Sequence, residues 1–377
     1  MVKHELPSLA AKNRVYERFI SRLESASGFV VSGHRNPDAD CLATMLGAAL
    51  LARKLHKPVT IVIDGSISPN VEFLVKIAEY NRIEINGIWS ADADTVVICD
   101  TAKPDLLPAN PDFRELLESP RTVVFEIDHH LGSDSEFIAD PANALVDRAS
   151  SSGSLLARLV FKLYRRGTVD DLLSRNMVVS LLIGMMSDTQ MGKVQPSHSE
   201  ARLYKRGVVI LSELLEKTTF SPDKIDTIQA LYAEMVRLTN EEQRIDEYFA
   251  TRTKQRGAVA WAALDPDESD RLVTEFGDSN VRSSARRITD RMTEVSGKIG
   301  MVTYVDGTDI VQCRMRREYG YRDVDLRQVI DAVGTDDGGG HPGAIAFRFP
   351  ADDIADYQRF VHDLVELANE LTADSNS

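Results

Sequence analysis

The chain has 377 residues and a formal net charge of −14 at pH 7, with 43% hydrophobic and 27% charged residues. This composition is typical of a globular protein with two domains, and no apolar run reaches the length that crosses a bilayer, so we expect no membrane partner. The acidic charge argues against a protein that coats long duplex nucleic acid, because such binding neutralises many phosphates. A small or short anionic substrate is compatible with it.

The opening residues, MVKHELPSLAAKNRVYERF, mix charges into a helical pattern and lack the apolar core of a signal peptide, which favours a cytoplasmic protein. The three cysteines, Cys41, Cys99 and Cys313, are far apart and in no paired spacing. We therefore expect three reduced core residues, and neither a disulfide framework nor a zinc site.

Short β-branched runs alternate with longer helical patterns in the first half of the chain. The runs are GFVVSG, VTIVID, TVVICD and TVVFEID. This alternation predicts an α/β fold with a mostly parallel sheet that helices cover on both faces. Ligands of such sheets bind beyond the carboxyl ends of the strands, so the residues that follow each strand are the first candidates for a site.

Nearly every predicted strand is followed by a carboxylate or an imidazole. One aspartate alone would indicate no more than a turn or a helix cap. Several carboxylates at one sheet edge repel one another unless a cation lies between them, so together they predict a metal site. The candidates are His34, Asp38, Asp40, Asp64, Asp100, Asp128, His129 and His130.

The ligand types indicate which metal is expected. Carboxylates with a few imidazoles and no thiolates suit manganese or magnesium, and manganese accepts nitrogen ligands more readily. We predict two Mn²⁺ ions, with Mg²⁺ or Co²⁺ as substitutes. Two ions can bridge a phosphoryl oxygen and generate a hydroxide nucleophile, so the predicted reaction is hydrolysis of a phosphate ester.

The stretch GHRNPDADCLATMLG places two aspartates where a strand passes into a helix. Pro37 disfavours a helical conformation at Asn36, which keeps the turn extended until a helix begins near Ala39. The positive end of that helix dipole would favour ionised carboxylates and an incoming phosphate.

The second half of the chain begins with a mostly helical stretch, Glu200 to Gln255, which we interpret as a connector. A second alternating unit follows, with GAVAWAAL, KIGMVTYV and DIVQCRMR as strands and then DDGGGHPGAIAFRF. Three glycines before a histidine would let backbone amides approach a phosphate or a base closely, although a flexible turn explains the run equally well.

Five motifs, HRNPDAD, ICDTA, EIDHH, MMSDTQ and GGGHPGA, occur in this order along nearly the whole chain. Their order and spacing resemble those of the DHH/DHHA1 phosphoesterase family, and within it the bifunctional oligoribonuclease (nanoRNase) and pAp phosphatase group. The resemblance implies a DHH catalytic domain at 1–199, a helical connector at 200–255 and a smaller α/β DHHA1 domain at 256–377 that binds substrate.

The resemblance also implies the metal ligands. Asp100 would bridge the two ions, and Asp188 enters the set only through the resemblance, because its own pattern indicates a helix cap. The implied ligands are His34, Asp38 and Asp100 for one Mn²⁺, and Asp40, Asp100, His129 and Asp188 for the other.

The remaining implied site residues would act on the substrate. His130 would lie against the substrate phosphate and could protonate the leaving oxygen, while Asp128 would orient its neighbours. The resemblance places the part of the substrate away from the metals in the second domain, where Arg316 matches the expected arginine better than Arg314 does. The implied substrate-binding residues are Gly338, Gly339, Gly340, His341, Arg314 and Arg316.

Three functions are compatible with these features. The first is a manganese-dependent phosphoesterase of short nucleotides, such as nanoRNA, linear pApA or 3′-phosphoadenosine 5′-phosphate. The second is a cyclic di-AMP phosphodiesterase, and the third a non-catalytic nucleotide-binding protein. A nuclease for long single strands is disfavoured because the chain is short and acidic. An inorganic pyrophosphatase is disfavoured by the GGGH unit. The segments TQMGKVQPSHSEA and TDDGGGHPGA depart from the family pattern and leave the substrate preference open. Formation of a homodimer is also left open.

Overall fold

The computed structural model describes residue 3 and residues 8–131, 135–189, 191–192, 196–217, 225–335 and 337–374. The chain divides into two compact units, Met1–Arg237 and Leu238–Ser377. Both combine a β-sheet with helices, which confirms the predicted α/β fold class. The limits 1–199, 200–255 and 256–377 stay predictions. Among the described residues, no helix is both long enough and apolar enough to span a bilayer.

The first unit is built on a parallel six-stranded sheet with the order β3-β2-β1-β4-β5-β6. Its strands are β1 (Phe29–Gly33), β2 (Val59–Val62), β3 (Glu84–Ile85), β4 (Thr95–Cys99), β5 (Val123–Asp128) and β6 (Ala144–Val146). Its helices are α1 (Leu9–Ser25), α2 (Ala39–Lys54), α3 (Phe73–Tyr80), α4 (Pro111–Glu118), α5 (Ser152–Arg166), α6 (Arg175–Met186), α7 (His198–Glu216) and α8 (Ile228–Met235).

Burial explains why α2 carries almost no polar face. Its residues from Asp40 to Ala52 are buried, because the helix contacts the sheet on one side and α5 and α6 on the other. A helix that is apolar all round belongs in a core, so this packing follows from the sequence. β1 and β4 are buried along their whole length. The chain order reverses between these two strands, which is where such sheets bind ligands.

The second unit has a mixed sheet with the order β11-β12-β10-β9-β8-β7, in which only β8 and β9 run parallel among the described pairs. Its strands are β7 (Thr253–Arg256), β8 (Val259–Ala263), β9 (Ile299–Val305), β10 (Ile310–Arg317), β11 (Gly338–His341) and β12 (Ala344–Pro350). Its helices are α9 (Asn240–Ala250), α10 (Pro266–Phe276), α11 (Asp278–Ser296), α12 (Arg327–Val333) and α13 (Tyr357–Asp374).

Alternating side chains of this second sheet form two separate cores. Met301 and Cys313 pack on the side of α12 and α13, whereas Val302 and Tyr304 pack on the side of α10 and α11. Cys41, Cys99 and Cys313 are all buried and free, as predicted.

Candidate metal centre

The ends of β1, β4 and β5 bring His34, Asp100 and His129 together. His34 Nε2 lies 3.8 Å from Asp100 Oδ2, and His129 Nε2 lies 3.4 Å from Asp100 Oδ1. Asp100 is 2% exposed, so its carboxylate has little water to stabilise its charge. The three strands are adjacent and parallel, which is why residues so distant in sequence meet at one sheet edge.

The two aspartates of the first motif diverge at the start of α2. Asp38 caps this helix by accepting a hydrogen bond from the Cys41 amide, and its Oδ1 lies 3.9 Å from His34 Nε2. Asp40 is fully buried. The helix therefore begins at Ala39, as predicted.

The amino end of α5 also contacts this cluster, although it belongs to none of the sequence motifs. Asp40 accepts hydrogen bonds from the Ser152 amide at 2.7 Å and the Gly153 amide at 2.9 Å. The Ser152 hydroxyl donates to Asp100 Oδ1 at 2.8 Å. A serine run directly before an apolar helical pattern, SSSGSLLARLV, was the available signal, since serine caps helices and free amides bind anions.

Asp188 follows α6 and reaches the cluster through a close approach of two helices. A Cβ atom on Gly153 would lie 2.5 Å from the backbone of Gly184, so these glycines let α5 and α6 touch. Four residues beyond Gly184, Asp188 places Oδ2 3.2 Å from His129 Nε2. Asp188 thus lies beside His129, with which the resemblance implies that it shares a metal ion.

His130 and Asp128 form a hydrogen-bonded pair next to the cluster. His130 Nδ1 donates to Asp128 Oδ1 at 2.7 Å, and His130 Nδ1 is also 3.8 Å from Asp100 Oδ1. The other Asp128 oxygen accepts a hydrogen bond from Lys3 Nζ at 2.7 Å. Lys3 was not singled out by the sequence, because nothing local connects it to a motif 125 positions away.

The crowding perturbs the pKa values of the buried groups. Burial and the charges of Asp100 and Asp188 raise the pKa of Asp40 well above its ordinary value. Burial and the charge of Asp38 raise the pKa of Asp100 to about 6. Burial opposes protonation of His129, but its contact with Asp188 and the charges of Asp100 and Asp40 raise its pKa to about 10. Without a cation, the side chains of this cluster therefore tend to stay protonated, and they would release these protons when they bind a metal ion.

An unsatisfied nitrogen shows that these residues fit a divalent metal. Among the described residues, His129 Nε2 is buried and makes no hydrogen bond of acceptable geometry, although carboxylate oxygens surround it. Ligand atoms lie within 4.8 Å of one another in three groups. Hard oxygen donors with imidazole suit Mn²⁺ or Mg²⁺. The groups are His34, Cys41 and Asp100; Asp100, His129 and His130; and Asp40, His129 and Asp188.

Two residues near the cluster do not extend it. Burial raises the pKa of the Cys41 thiol well above its ordinary value, so it remains a protonated core side chain and a poor metal ligand. Asp64, which follows β2, accepts a hydrogen bond from the Ala109 amide and belongs to none of the three groups among the described residues.

The glycine run of the second unit forms the edge strand β11. Gly338, Gly339 and Gly340 are exposed, and among the described strands they pair with β12 only. Gly340 has a φ of 143°, and a Cβ atom there would lie 2.2 Å from the Ala344 carbonyl oxygen. Gly339 has open space where a Cβ atom would be, so a ligand could approach its backbone. The side chain of His341 lies outside the described part of the structure.

The two candidate arginines on β10 have different surroundings. Arg316 donates to Asp290 Oδ1 at 2.7 Å. The Nε atom of Arg314 is buried and has no hydrogen-bond partner among the described residues. Burial and the charges of Arg286, Arg282 and Arg348 lower the pKa of Arg314, although Tyr304 acts in the opposite direction. Arg314 and Gly339 both pair with Ala346, so they share one cross-strand row.

Known proteins share both the domain and the fold. Residues 28–185 match the family described as DHH family, N-terminal domain. The cyclic-di-AMP phosphodiesterase PdeA of Listeria monocytogenes is 24% identical over 74% of this chain and 44% of its own length. A probable manganese-dependent inorganic pyrophosphatase of Streptococcus mutans is 26% identical over 46% of this chain and 52% of its own length. The chain thus spans about half the length of each of these relatives.

The fold of the chain also has a counterpart among solved structures. An exopolyphosphatase-related protein from Bacteroides fragilis superposes with a TM-score of 0.66 and 16% identity, over 95% of this chain and 96% of that one. The match to the DHH N-terminal domain lies within the first unit, at residues 28–185, and the chain is similar to the phosphodiesterase and the pyrophosphatase named above. The match confirms the DHH part of the resemblance, whereas the DHHA1 domain and the nanoRNase and pAp phosphatase group stay predictions.

Proposed function

We propose that this protein is a manganese-dependent phosphoesterase that hydrolyses short nucleotides. The observation that carries the proposal is the convergence of Asp40, Asp100 and Asp188 around the buried, unsatisfied His129 Nε2. Bound there, two Mn²⁺ ions would polarise a phosphoryl oxygen and lower the pKa of a water molecule. The ligands that we assign to them are His34, Asp38, Asp40, Asp100, His129 and Asp188.

His130 is the proposed acid for the leaving group. Asp128 accepts a hydrogen bond from the Nδ1–H group of His130, so Nε2 is the ring nitrogen that can reach a substrate oxygen. When the phosphorus–oxygen bond breaks, Nε2 of the protonated ring would donate its proton to the departing alkoxide oxygen, which then leaves as a hydroxyl group. The 41% exposed side chain of His130 allows it to meet a ligand from solvent.

The substrate is proposed to be a small or short nucleotide and not a long duplex. Support comes from the acidic charge of −14 and from the second unit, where exposed glycine backbone lies in the same cross-strand row as Arg314. A guanidinium surrounded by other guanidinium groups favours an anion. Gly338, Gly339, Gly340, His341, Arg314 and Arg316 are the residues proposed to bind the part of the substrate away from the metals.

A second candidate function is cleavage of cyclic di-AMP. The relative PdeA, which carries that activity in its name, matches over 74% of this chain. At 24% identity it does not decide between a cyclic substrate and the linear dinucleotide.

The test is product analysis with metal-stripped protein to which Mn²⁺ is restored. The substrates, incubated separately, are 3′-phosphoadenosine 5′-phosphate, linear pApA, cyclic di-AMP, a five-residue RNA and pyrophosphate. Mononucleotide from the short linear substrates with the cyclic one intact would support the main proposal. Rapid ring opening would favour the second candidate, and nucleotide binding without turnover of any substrate would refute both. Asp100→Asn is the matched inactive control.

A further inference from the structure

Lys3 occupies a buried position among charged groups. Its side chain is 0% exposed, and its backbone amide donates to the Ser135 carbonyl oxygen at 2.9 Å. Its ammonium lies 2.6 Å from Glu126 Oε1 and 2.7 Å from Asp128 Oδ2. A lysine is rarely buried unless it is paired, and here two carboxylates pair with it.

The two carboxylates lie on one face of β5 because side chains alternate along a strand. Glu126 and Asp128 are both fully buried. Glu126 is also held by the amides of Ile138 and Ala139, which donate to its Oε2. Glu126 therefore has two backbone partners, whereas Asp128 has one, the His130 amide at 3.2 Å from its Oδ2, and otherwise accepts from the side chains of Lys3 and His130.

Asp128 connects Lys3 to the proposed acid. One Asp128 oxygen accepts from Lys3, and the other accepts from His130 Nδ1 at 2.7 Å. The Lys3 ammonium also donates to the Thr101 carbonyl oxygen at 3.0 Å, directly after Asp100. One side chain thus contacts the ends of both β4 and β5, two of the three strands whose ends form the metal cluster.

We propose that Lys3 is a positioning residue for the phosphoester hydrolysis proposed above. It fixes the orientation of the Asp128 carboxylate, so that Asp128 holds the His130 ring with Nδ1 bound and Nε2 free for the substrate. An outer partner of this kind typically changes activity about 10- to 100-fold when it is lost. The inference rests on the proposed function, and it adds a residue that belongs to none of the family motifs in the sequence.

The main experiment compares Lys3→Met with Lys12→Met in the Mn²⁺-loaded protein. Lys12 lies in the same region of the sequence but pairs with Asp147. We expect Lys3→Met to lower kcat about 10- to 100-fold with little change in KM, and Lys12→Met to stay near wild type. An unchanged kcat in folded Lys3→Met would overturn the proposal.

A double-mutant cycle separates positioning from a purely structural role. In a His130→Gln background, Lys3→Met should lower kcat by less than about threefold, because the ring that Lys3 positions is gone. An equal loss in both backgrounds would mean that Lys3 supports the fold and not His130. Lys3→Met leaves the buried Glu126 carboxylate without its lysine partner, which can prevent folding. In that case the double variant Lys3→Met/Glu126→Gln removes the extra negative charge, and its kcat is compared with that of Glu126→Gln alone.

A spectroscopic measurement keeps this inference distinct from the proposed function. In Mg²⁺-loaded protein with ¹⁵N-labelled histidine, the His130 Nδ1 signal should move in Lys3→Met and stay in place in Lys12→Met. An unmoved signal would overturn the role of Lys3 even if the wild type is active. Conversely, a wild type that hydrolyses no phosphoester would refute the proposed function while the signal still tests Lys3.

Discussion

Asp100 has a left-handed backbone with a φ of 50°, and this conformation carries its carboxylate to within 3.4 Å of His129 Nε2. Non-glycine residues rarely adopt positive φ values, although aspartate and asparagine do so more readily than alanine. The Asp100 amide is anchored by donating to the Ile127 carbonyl oxygen at 2.9 Å. The backbone of β4 is thus held in an unusual conformation where the carboxylate is needed.

Asp100→Asn is therefore a cleaner test than Asp100→Ala. Asparagine tolerates the positive φ, whereas alanine adds strain of about 1 kcal/mol. Turnover with Mn²⁺ should fall by about 10³-fold or more in both variants, because a metal contributes several kcal/mol of charge stabilisation. Steady-state assays check this, and retention of wild-type turnover by Asp100→Asn would contradict the assignment of Asp100 as a metal ligand.

The same substitution should stabilise the protein when metal is absent. The pKa of Asp100 is raised to about 6, so the folded state binds its proton more tightly than the unfolded state does. Stability is therefore lost as pH rises from about 4 to 6, and the penalty persists above that range. Metal-free Asp100→Asn at about pH 7.5 should gain on the order of 2–3 kcal/mol. Urea unfolding with and without Mn²⁺ tests this. Asp100→Asn should be more stable than wild type without the ion and less stable than wild type with it.

Metal binding should release protons from His129. The pKa of this ring is raised to about 10 without metal, so it is protonated at about pH 7.5, and a ligand must be neutral. Its imidazolium stabilises the metal-free fold below pH 6.5 and loses that contribution as pH rises through 10. The logarithm of Mn²⁺ affinity should rise by at least about one per pH unit near pH 7–8, and more steeply below 6 where Asp100 also loses a proton.

Calorimetry in two buffers of different ionisation enthalpy counts these protons. Wild type should release at least about one proton per binding event at about pH 7.5, since the raised pKa of Asp40 adds to that of His129, and His129→Gln should release fewer. An affinity that is independent of pH between about 7 and 8 would show that His129 is neutral before metal binds.

Gly153→Ala should damage the metal centre from a distance. Its Cβ would meet the Gly184 backbone at 2.5 Å, which forces α5 and α6 apart and withdraws the amides that bind Asp40. We expect a loss of stability of about 1–3 kcal/mol together with weaker Mn²⁺ binding. Thermal unfolding and metal titration measure the two effects.

Gly207→Ala is the matched control in α7. There the new Cβ would meet the Met185 methyl group at 2.8 Å, which is the end of a flexible side chain. The control should unfold near the wild-type temperature or slightly above it, because alanine favours a helix. Equal destabilisation of the two variants would contradict a specific role for the contact between Gly153 and Gly184.

Arg314→Gln should weaken substrate binding more than Arg316→Gln. Arg316 is already paired with Asp290, whereas Arg314 has an unsatisfied Nε atom among the described residues and arginines around it. A charge-assisted hydrogen bond to a substrate anion is worth about 1.5–3 kcal/mol, so KM should rise at least about tenfold with kcat nearly unchanged. The KM values of both variants are measured with the substrate that product analysis identifies. A larger rise in KM for Arg316→Gln than for Arg314→Gln would favour Arg316 as the anion ligand.

Much of the fold could be predicted because its signals are local. β-branched runs and helical patterns predicted a parallel sheet and a helix that begins at Ala39. The expected extended backbone at Asn36 was wrong, because this residue has a left-handed φ of 52°. Strand ends of a parallel sheet share an edge, so His34, Asp100 and His129 could be expected together before any distance was known. Asp188 could be expected only through the family resemblance, since its local pattern is that of a helix cap.

Other parts of the site depend on contacts that no local pattern encodes. Ser152 and Gly153 reach Asp40 only because α5 packs against α6, and Lys3 reaches Asp128 across 125 positions of sequence. The pairing of Arg316 with Asp290 likewise arises from the packing of α11 on β10. The sequence by itself determined the residue types and their order along the sheet edge. Tertiary packing alone decided which buried charges are neutralised and by which partners, because burial and distance set electrostatic energies.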